Sequence, residues 1–472
     1  MSINRILDTS KGALAANQLG IATTSHNISN ANTDGYSRQR VEFHTNTPVS
    51  VNKHQVGTGV TVGAITRSAS KFLNVRMAEE NSKLGKAEGV SDLVSQVESL
   101  VSDEAETGLS SKVNQFYNDL RSLSTQPESA PLRSAVRESA NALTSRFSTM
   151  RKSIVDISRD VDNRLEGSIE NTNVMLQQVA DLNKRIVQIE VNNGTFANDE
   201  RDQRDLLIRN IAKEIPVQIS EDPNGSITLA SGKAGALVSL GDAYKLKLVT
   251  SESGSGHPTF KVYTTSQNGK AQTDITKSFD GGKVGGLIHV RDNFLTDVVD
   301  RIDTLAFGMV NSVNDAHNKA FTQNGKTGMD FFQIKAGRAA ADGIQVSDAV
   351  TGDVNNIATG EIAFAPGDNR GILSLVGTQD QRLFDDGTAT MGDFLAGTVG
   401  SIGVETKANN DIMAVQSGIV DQLATLRDSE SGVSLDEEAI DMLRFQKAFD
   451  ANAKMIQVAD SMMETVLNLK RF

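Results

Sequence analysis

The run LRSAVRESANALTSRFSTMRKSIVDISRDVDNRLEGSIENTNVMLQQVADLNKRIVQIE, residues 132–190, decides what kind of fold this chain can have. Pro131, a favourable helix-entry residue, precedes it, and no further proline occurs until Pro216. One row at sevenfold spacing runs Phe147, Ile154, Val161, Ser168, Met175, Leu182, Ile189, and a second runs Leu165, Thr172, Val179, Ile186. Residues seven apart share a helix face, so the spacing predicts one helix over 132–190, about 85–90 Å long. Such a rod is structural architecture rather than an enzyme fold.

On either side the same grammar recurs. Helices are expected at 71–101, 109–123, 287–318 and 390–428, with rows such as Leu295, Ile302, Met309, Ala316 and, in the last, Val399, Thr406, Met413, Val420 beside Ile412, Ile419, Leu426. These inner rows read as the seams of an intramolecular bundle. Residues 41–67 alternate like strands, and 214–286 breaks into short β-type runs (ITLAS, YKLKLV, TFKVYTT) separated by turn signals such as DPNGS and QNGK. The expected fold is therefore mainly α with a β insert: a long antiparallel helical bundle over 37–213 with 287–439, a small outer β domain at 214–286, and terminal coiled-coil helices over 1–36 with 440–472.

Both ends carry narrow seams. Near the N-terminus the row is Leu7, Leu14, Ile21, Ile28, flanked by small or polar residues including Gly20 and Thr24. In 434–469 one row is Leu435, Met442, Phe449, Ile456, Met463, and another is Phe445, Asn452, Ala459, Val466. Ser434 and Glu437 have the spacing of a capping box; Asp436, Glu437 and Glu438 fill the first turn, and Lys470 and Arg471 sit at the far end. A helix with so thin a stripe does not hold itself in water, so the two ends are expected to pair with each other and with copies of themselves, folding fully only on assembly.

Chemistry finds little purchase. The 472 residues contain no cysteine, which excludes disulfides and thiolate metal sites, and the six histidines (26, 44, 54, 257, 289, 317) show no metal-ligand spacing. A net charge of −12 argues against nucleic acid, and no window approaches the ~20 apolar residues of a membrane span. Gly325-Lys326-Thr327 has the tail of a phosphate loop, but Ala320 stands where its first glycine is needed. The charged run NDERDQRD, 198–205, reads as a solvated helix start with Asp202, Arg204 and Asp205 pairing locally, rather than as acid–base carboxylates. The N-terminus lacks the apolar core of a secretory signal, which implies a cytosolic protein unless it leaves by another route. No catalytic, cofactor-binding or metal residue is expected.

Between the N-terminal helix and the strands lies SHNISNANTDGYSRQ, residues 25–39. Its asparagines, Asn27, Asn30 and Asn32, have short amides suited to binding nearby backbone and tolerating left-handed geometry, and Asp34-Gly35 suits a tight turn. The stretch reads as a joint between the terminal helix and the body.

ANQLGIATTSHNISNANTDGYSRQ (16–39) resembles the N-terminal motif of the bacterial flagellar rod, hook and hook-associated proteins, and SGVSLDEEAIDMLRFQKAFDANAKMIQVADSMMETVLNL (431–469) resembles their C-terminal motif. GTGVTVGAITRSASKFLNVR, NDERDQRDLLI, GGLIHVRDN and GDNRGILSL extend the likeness over most of the chain. Ser29 stands where alanine is commoner, and Ser70 replaces a usual aspartate before a helix. The chain is short for the family, which suggests one outer β domain rather than two.

The resemblance implies a non-enzymatic axial component without cofactors, exported through the flagellum's own apparatus and lying outside the cell. It would form a ring with copies of itself between the hook protein and a second hook–filament junction protein, and an export chaperone would cover the C-terminal helix. The assembly interface implied by rows and motif together is Leu7, Leu14, Ile21, Ile28, Asn30, Asn32, Met442, Phe445, Phe449, Ile456, Ala459, Met463 and Val466. A hook or rod protein of the same family remains an alternative, as does a cytosolic coiled-coil scaffold or adaptor.

Overall fold

A computed structural model describes residues 3–51, 54–102, 107–232, 235–252, 258–265 and 271–469. His257, Lys470 and Arg471 fall outside that range. In chain order the elements are α1 (Ile3–Asn30), β1 (Gln39–Thr45), β2 (Val49–Val51), β3 (His54–Val56), β4 (Val60–Arg67), α2 (Lys71–Val101), α3 (Leu109–Thr125), α4 (Ala130–Asn193) and α5 (Asn198–Glu214). Then come β5 (Gln218–Glu221), β6 (Ile227–Ala230), β7 (Ala236–Ser239), β8 (Asp242–Ala243), β9 (Leu246–Glu252), β10 (Pro258–Thr265) and β11 (Ala271–Asp274). The chain continues through α6 (Gly282–His289), α7 (Leu295–Lys319), β12 (Phe332–Ile334), α8 (Ala340–Gly343), β13 (Ile344–Val346), α9 (Asp348–Gly352) and α10 (Arg370–Gly377), and finishes with α11 (Met391–Ser431) and α12 (Leu435–Leu469). The fold is mainly α with a β insert, as the hydrophobic spacing predicts.

The elements gather into two compact units: a terminal unit of residues 1–85, 168–282 and 415–472, and a medial unit of 86–167 and 283–414. Helices α2, α4 and α11 contribute a segment to each. α4 is the predicted rod, 64 residues without interruption. Both of its sequence rows are buried, except that Ile189 near its end is only partly covered.

In the terminal unit, α1 and α12 pack along one another. β1 pairs antiparallel with β4, from Gln39↔Arg67 to Thr45↔Val60, with a bulge at Glu42/Phe43. The insert is two small antiparallel sheets, ordered β5-β6-β7-β8 and β11-β10-β9. Each docks on the last third of α4 through one asparagine that behaves like a strand residue. Asn183 donates to Ile227 O (2.7 Å) and accepts from Ile227 N (3.1 Å). Asn173 does the same with Leu246, at 2.8 and 2.7 Å. An amide that returns both backbone bonds of one residue leaves no buried polar group unmet where helix meets sheet. Ser70 accepts the Leu73 N–H (3.4 Å) and so caps α2, as its place before a helix predicts.

The medial unit closes around Phe116, Phe331 and Phe332, whose ring centroids lie 4.8–5.6 Å apart, with Tyr117 and His317 against them. Arg133 is fully buried, yet donates to the carbonyls of Pro127 (2.9 Å) and Ile357 (2.6 Å) and to Thr359 Oγ1 (3.1 Å). Between α6 and α7 the expected continuous helix instead makes one π turn, Val290–Phe294. That widened turn holds the buried Arg291 against Asp162 (3.0 Å) and Asp292 (2.6 Å).

Helix α11 departs from the expected bundle seam. Ile412 and Leu426, two of the three residues of one sequence row, are exposed together with Val404 and Val415, whereas Thr398, Thr406, Asn409 and Gln416 are buried. The buried amides find partners on α2: Asn409 donates to Ala87 O (3.0 Å) and Gln416 bonds Glu80. The first turns of α11 bury Met391, Phe394, Leu395 and Ile402, but beyond Ile402 polar side chains face inward and several apolar ones outward, the reverse of a soluble surface helix.

His317 is a core histidine. Nδ1–H donates to Met329 O (2.6 Å) and Nε2 accepts from Ala358 N (2.9 Å), an arrangement open only to the neutral ring, and burial lowers its pKa. A pKa depressed on folding contributes stability that is complete above the unfolded value, about 6.5, and is lost as pH falls through the folded value. Thermal melts of the whole protein should therefore show the transition reporting the medial unit fall as pH drops from about 7 towards 5, and a His317→Gln variant should lose most of that slope.

Candidate assembly site

The joint at residues 25–39 is built around Asn27. Helix α1 runs past Ile28 to Asn30, and its buried positions are Ser10, Ala16, Gly20, Thr23, Thr24 and Asn27, a small and polar face. Asn27 is 2% exposed and uses its whole amide. Nδ2 donates to Gln39 O and to Glu438 Oε2, both at 2.9 Å, while Oδ1 accepts from Gln39 N (3.0 Å) and Tyr36 O–H (2.7 Å). Two donors and two acceptors leave nothing unmet. One side chain therefore ties the end of α1 to β1 and to the first turn of α12. Burial, then the carboxylates of Asp199, Asp202 and Glu438, push the Tyr36 phenol well up and keep its proton in place for that bond.

Arg38 completes the knot. Its guanidinium bonds Glu438 (2.5 Å) and Glu437 (2.7 Å) and lies 3.4 Å from Asp441. Its backbone N–H donates to Ser431 O (2.8 Å) and its carbonyl accepts from Ser68 N (2.8 Å). Ser434 caps α12 at the Glu437 N–H (3.5 Å), but the Glu437 side chain turns to Arg38, so only half of the expected reciprocal box is made. Two of the acids that spacing alone assigns to the helix dipole, Glu437 and Glu438, are with Asp441 the receptor for one arginine.

The charged run 198–205 is not a solvated helix start. Asp202 is buried and accepts the Ser37 N–H (2.8 Å) and Arg67 Nη1 (2.7 Å), and Asp199 accepts from the Gln39 amide (2.7 Å). His26 lies 3.0 Å from the Tyr36 oxygen and 3.6 Å from Asp199. The partners come from more than 130 positions away in the chain, which no local spacing could reveal. The signal that was available is a single arginine in GYSRQ facing an acidic first turn in SLDEEAID.

The turn is confirmed at Gly35, whose φ of +81° suits glycine and whose Cβ, if present, would stand 3.1 Å from Leu206. The asparagines do not take left-handed geometry. Asn30 instead donates to His26 O within the helix (3.0 Å), and Asn32 is exposed.

Along α12, Met442, Phe445, Phe449, Ile456 and Met463 are half-buried and Ala459 is 1% exposed, so both sequence rows lie on one face. Phe445 lies across Gly20 of α1, where a Cβ would meet the ring at 2.9 Å. Leu7, Leu14, Ile21 and Ile28 are only partly covered, and Val466 is exposed. Sequence rows missed a second stripe on α12: Ile440, Leu443, Met455, Val458 and Met462, 46–66% exposed and three or four residues apart but for the lysine and alanine at 447 and 451. One apolar face of α12 thus lies against its own chain and the other faces water.

The fold and this joint define a structural subunit built for assembly. The family model for the flagellar hook-associated protein FlgK helical domain matches residues 94–332, half of the chain. Models for the flagella basal body rod protein and the flagellar basal body rod FlgEFG protein C-terminal match residues 7–36 and 427–469. The chain belongs to the flagellar hook-associated protein FlgK family and is a structural protein of the bacterial flagellum.

It is 27% identical to flagellar hook-associated protein 1 of Bacillus subtilis (strain 168), covering 98% of this chain and 97% of that protein. It is 23% identical to the protein of the same name from Escherichia coli (strain K12), covering 99% and 100%. The solved flagellar hook junction protein FlgK from Burkholderia pseudomallei shares the fold, with a TM-score of 0.67 at 14% identity over 76% of this chain and all of that one.

Asn27→Asp tests the joint without changing size. It turns two donors into a carboxylate set against Glu438 and the Gln39 carbonyl. The expected cost is on the order of 3 kcal/mol, read as earlier urea unfolding and faster hydrogen exchange in the first turns of α12. Unchanged protection there would contradict the role given to Asn27.

Proposed function

We propose that this protein joins hook to filament, forming a ring with copies of itself in the flagellar axial lattice. In that reading its neighbours are the hook protein on one edge and a second hook–filament junction protein on the other. The observation that carries it is the doubly apolar α12, one face against α1 and the other open. A second copy of the chain is the natural occupant of the open face, because heterologous contacts between unlike faces propagate around and along a lattice.

The working division is threefold: residues 1–36 with 440–472 as the assembly region, 37–213 with 287–439 as the helical bundle, and 214–286 as the outer β domain. Leu7, Leu14, Ile21 and Ile28 serve intermolecular packing in this scheme, with Asn30, Asn32 and Val466 at its edge. Before assembly, an export chaperone covers α12, whose open stripe is a liability in a free subunit. Export through the flagellum's own apparatus places the protein outside the cell. No catalysis, nucleic acid or membrane enters the scheme; among the described residues no helix is long and apolar enough to cross a membrane.

Two substitutions separate folding from assembly. Val458→Asp adds a charge to an exposed position, so urea unfolding of the free subunit should move by less than about 0.5 kcal/mol. In the ring that charge would be buried without a partner, so the variant should fail to restore swimming to a null strain and leave hooks without filaments. Phe449→Asp should both loosen α12 in the subunit and abolish swimming. A Val458→Asp strain that swims normally would overturn the proposed use of the open face.

A further inference from the structure

The chain has no cysteine and twelve methionines, so thioethers are its only oxidisable sulfur. Their burial is uneven. Met77, Met150, Met175, Met309 and Met391 are buried, and Met442 and Met463 of α12 are half-covered. Among the described methionines only Met455 and Met462 are exposed, at 48% and 47%.

The two stand seven residues apart, so they share one face of α12 and lie about 10 Å from each other along its axis. Val458 falls between them, and all three belong to the open apolar stripe. The accessible sulfur of the described chain is therefore concentrated on the face that its own helices leave uncovered.

An exposed thioether is the first to meet an oxidant of the peroxide class. Its sulfur lone pair attacks one oxygen of hydrogen peroxide, and an S–O bond forms as the O–O bond breaks. Sulfur gives up two electrons and the peroxide gains them. The departing hydroxide takes the proton of the transferred oxygen and leaves as water. The product is a sulfoxide, in which a flexible apolar side chain now carries a strong hydrogen-bond acceptor. In the free subunit that acceptor meets water and costs little. Against a second subunit it would be stripped of water at two positions per chain, on a face that is otherwise apolar.

We propose that Met455 and Met462 are a peroxide-sensitive modification site whose sulfoxides close the open face of α12 to a second copy of the chain. The proposal rests on the reading of that face as a subunit interface. Methionine suits such a face because its unbranched side chain adapts to an irregular partner surface, and the same choice makes assembly answer to oxidant without any cysteine.

Brief treatment of the full chain with dilute hydrogen peroxide, followed by peptide mass mapping, reads the site directly. Met455 and Met462 should each gain one oxygen several-fold faster than Met442 and Met463, with the urea midpoint unmoved at that exposure. Oxidation no faster than at Met442 and Met463 overturns the site. The double variant Met455→Gln/Met462→Gln sets an amide carbonyl where the sulfoxide oxygen would stand. It should unfold at the same urea concentration as the unmodified chain, yet restore far less swimming to a null strain than Met455→Leu/Met462→Leu, which keeps the face apolar. Equal swimming by the two pairs, while Val458→Asp fails to swim, overturns the effect of modification and leaves the interface standing. If Val458→Asp swims as well, the interface reading fails and this proposal falls with it.

Discussion

The meeting of α1, β1 and α12 depends on the full satisfaction of one buried amide. Asn27 holds two donors and two acceptors in place, and those four bonds reach the end of α1, the start of β1, the Tyr36 phenol and the Glu438 carboxylate. Once Glu438 is fixed, Arg38 has a fixed partner, and the first turn of α12 is fixed in turn. A polar knot is the right device here. Apolar contacts between α1 and α12 would tolerate sliding by a turn, whereas four directional bonds accept a single register. The close approach at Gly20 works to the same end, since the Phe445 ring fits only where the opposing helix offers no Cβ.

Much of the fold was legible in the sequence because long helices report their hidden face through spacing. The rod at 132–190 is legible almost to its ends, since no proline interrupts it and its two rows are apolar except at Ser168 and Thr172. What spacing cannot report is who hides a face. Ile412 and Leu426 have the periodicity of a bundle seam, yet they lie open while Asn409 and Gln416 bond to α2. The second stripe of α12 went unread for a related reason: two apolar faces on one helix blur each other's periodicity.

Charge was the less legible part. Residues 198–205 look solvated when read alone, because their partners are Ser37, Gln39 and Arg67 from a distant part of the chain. The same holds for Glu437 and Glu438, which stand in the first turn of α12 and, with Asp441, bind Arg38. In the joint itself, residue types were read correctly as backbone binders. Their geometry was not, since helix α1 continues through Asn27 to Asn30 and the left-handed position falls to Gly35.

The bond between Asn27 and Glu438 spans 411 positions of sequence. Long-range closures of that kind form late, after local helices are in place, because the chain entropy they cost must be offset by structure already made. A chain lacking α12 cannot tie this knot. Without α12, Asn27 loses its Glu438 acceptor and Arg38 its carboxylates, so the end of α1 loses its register together with the helix it holds.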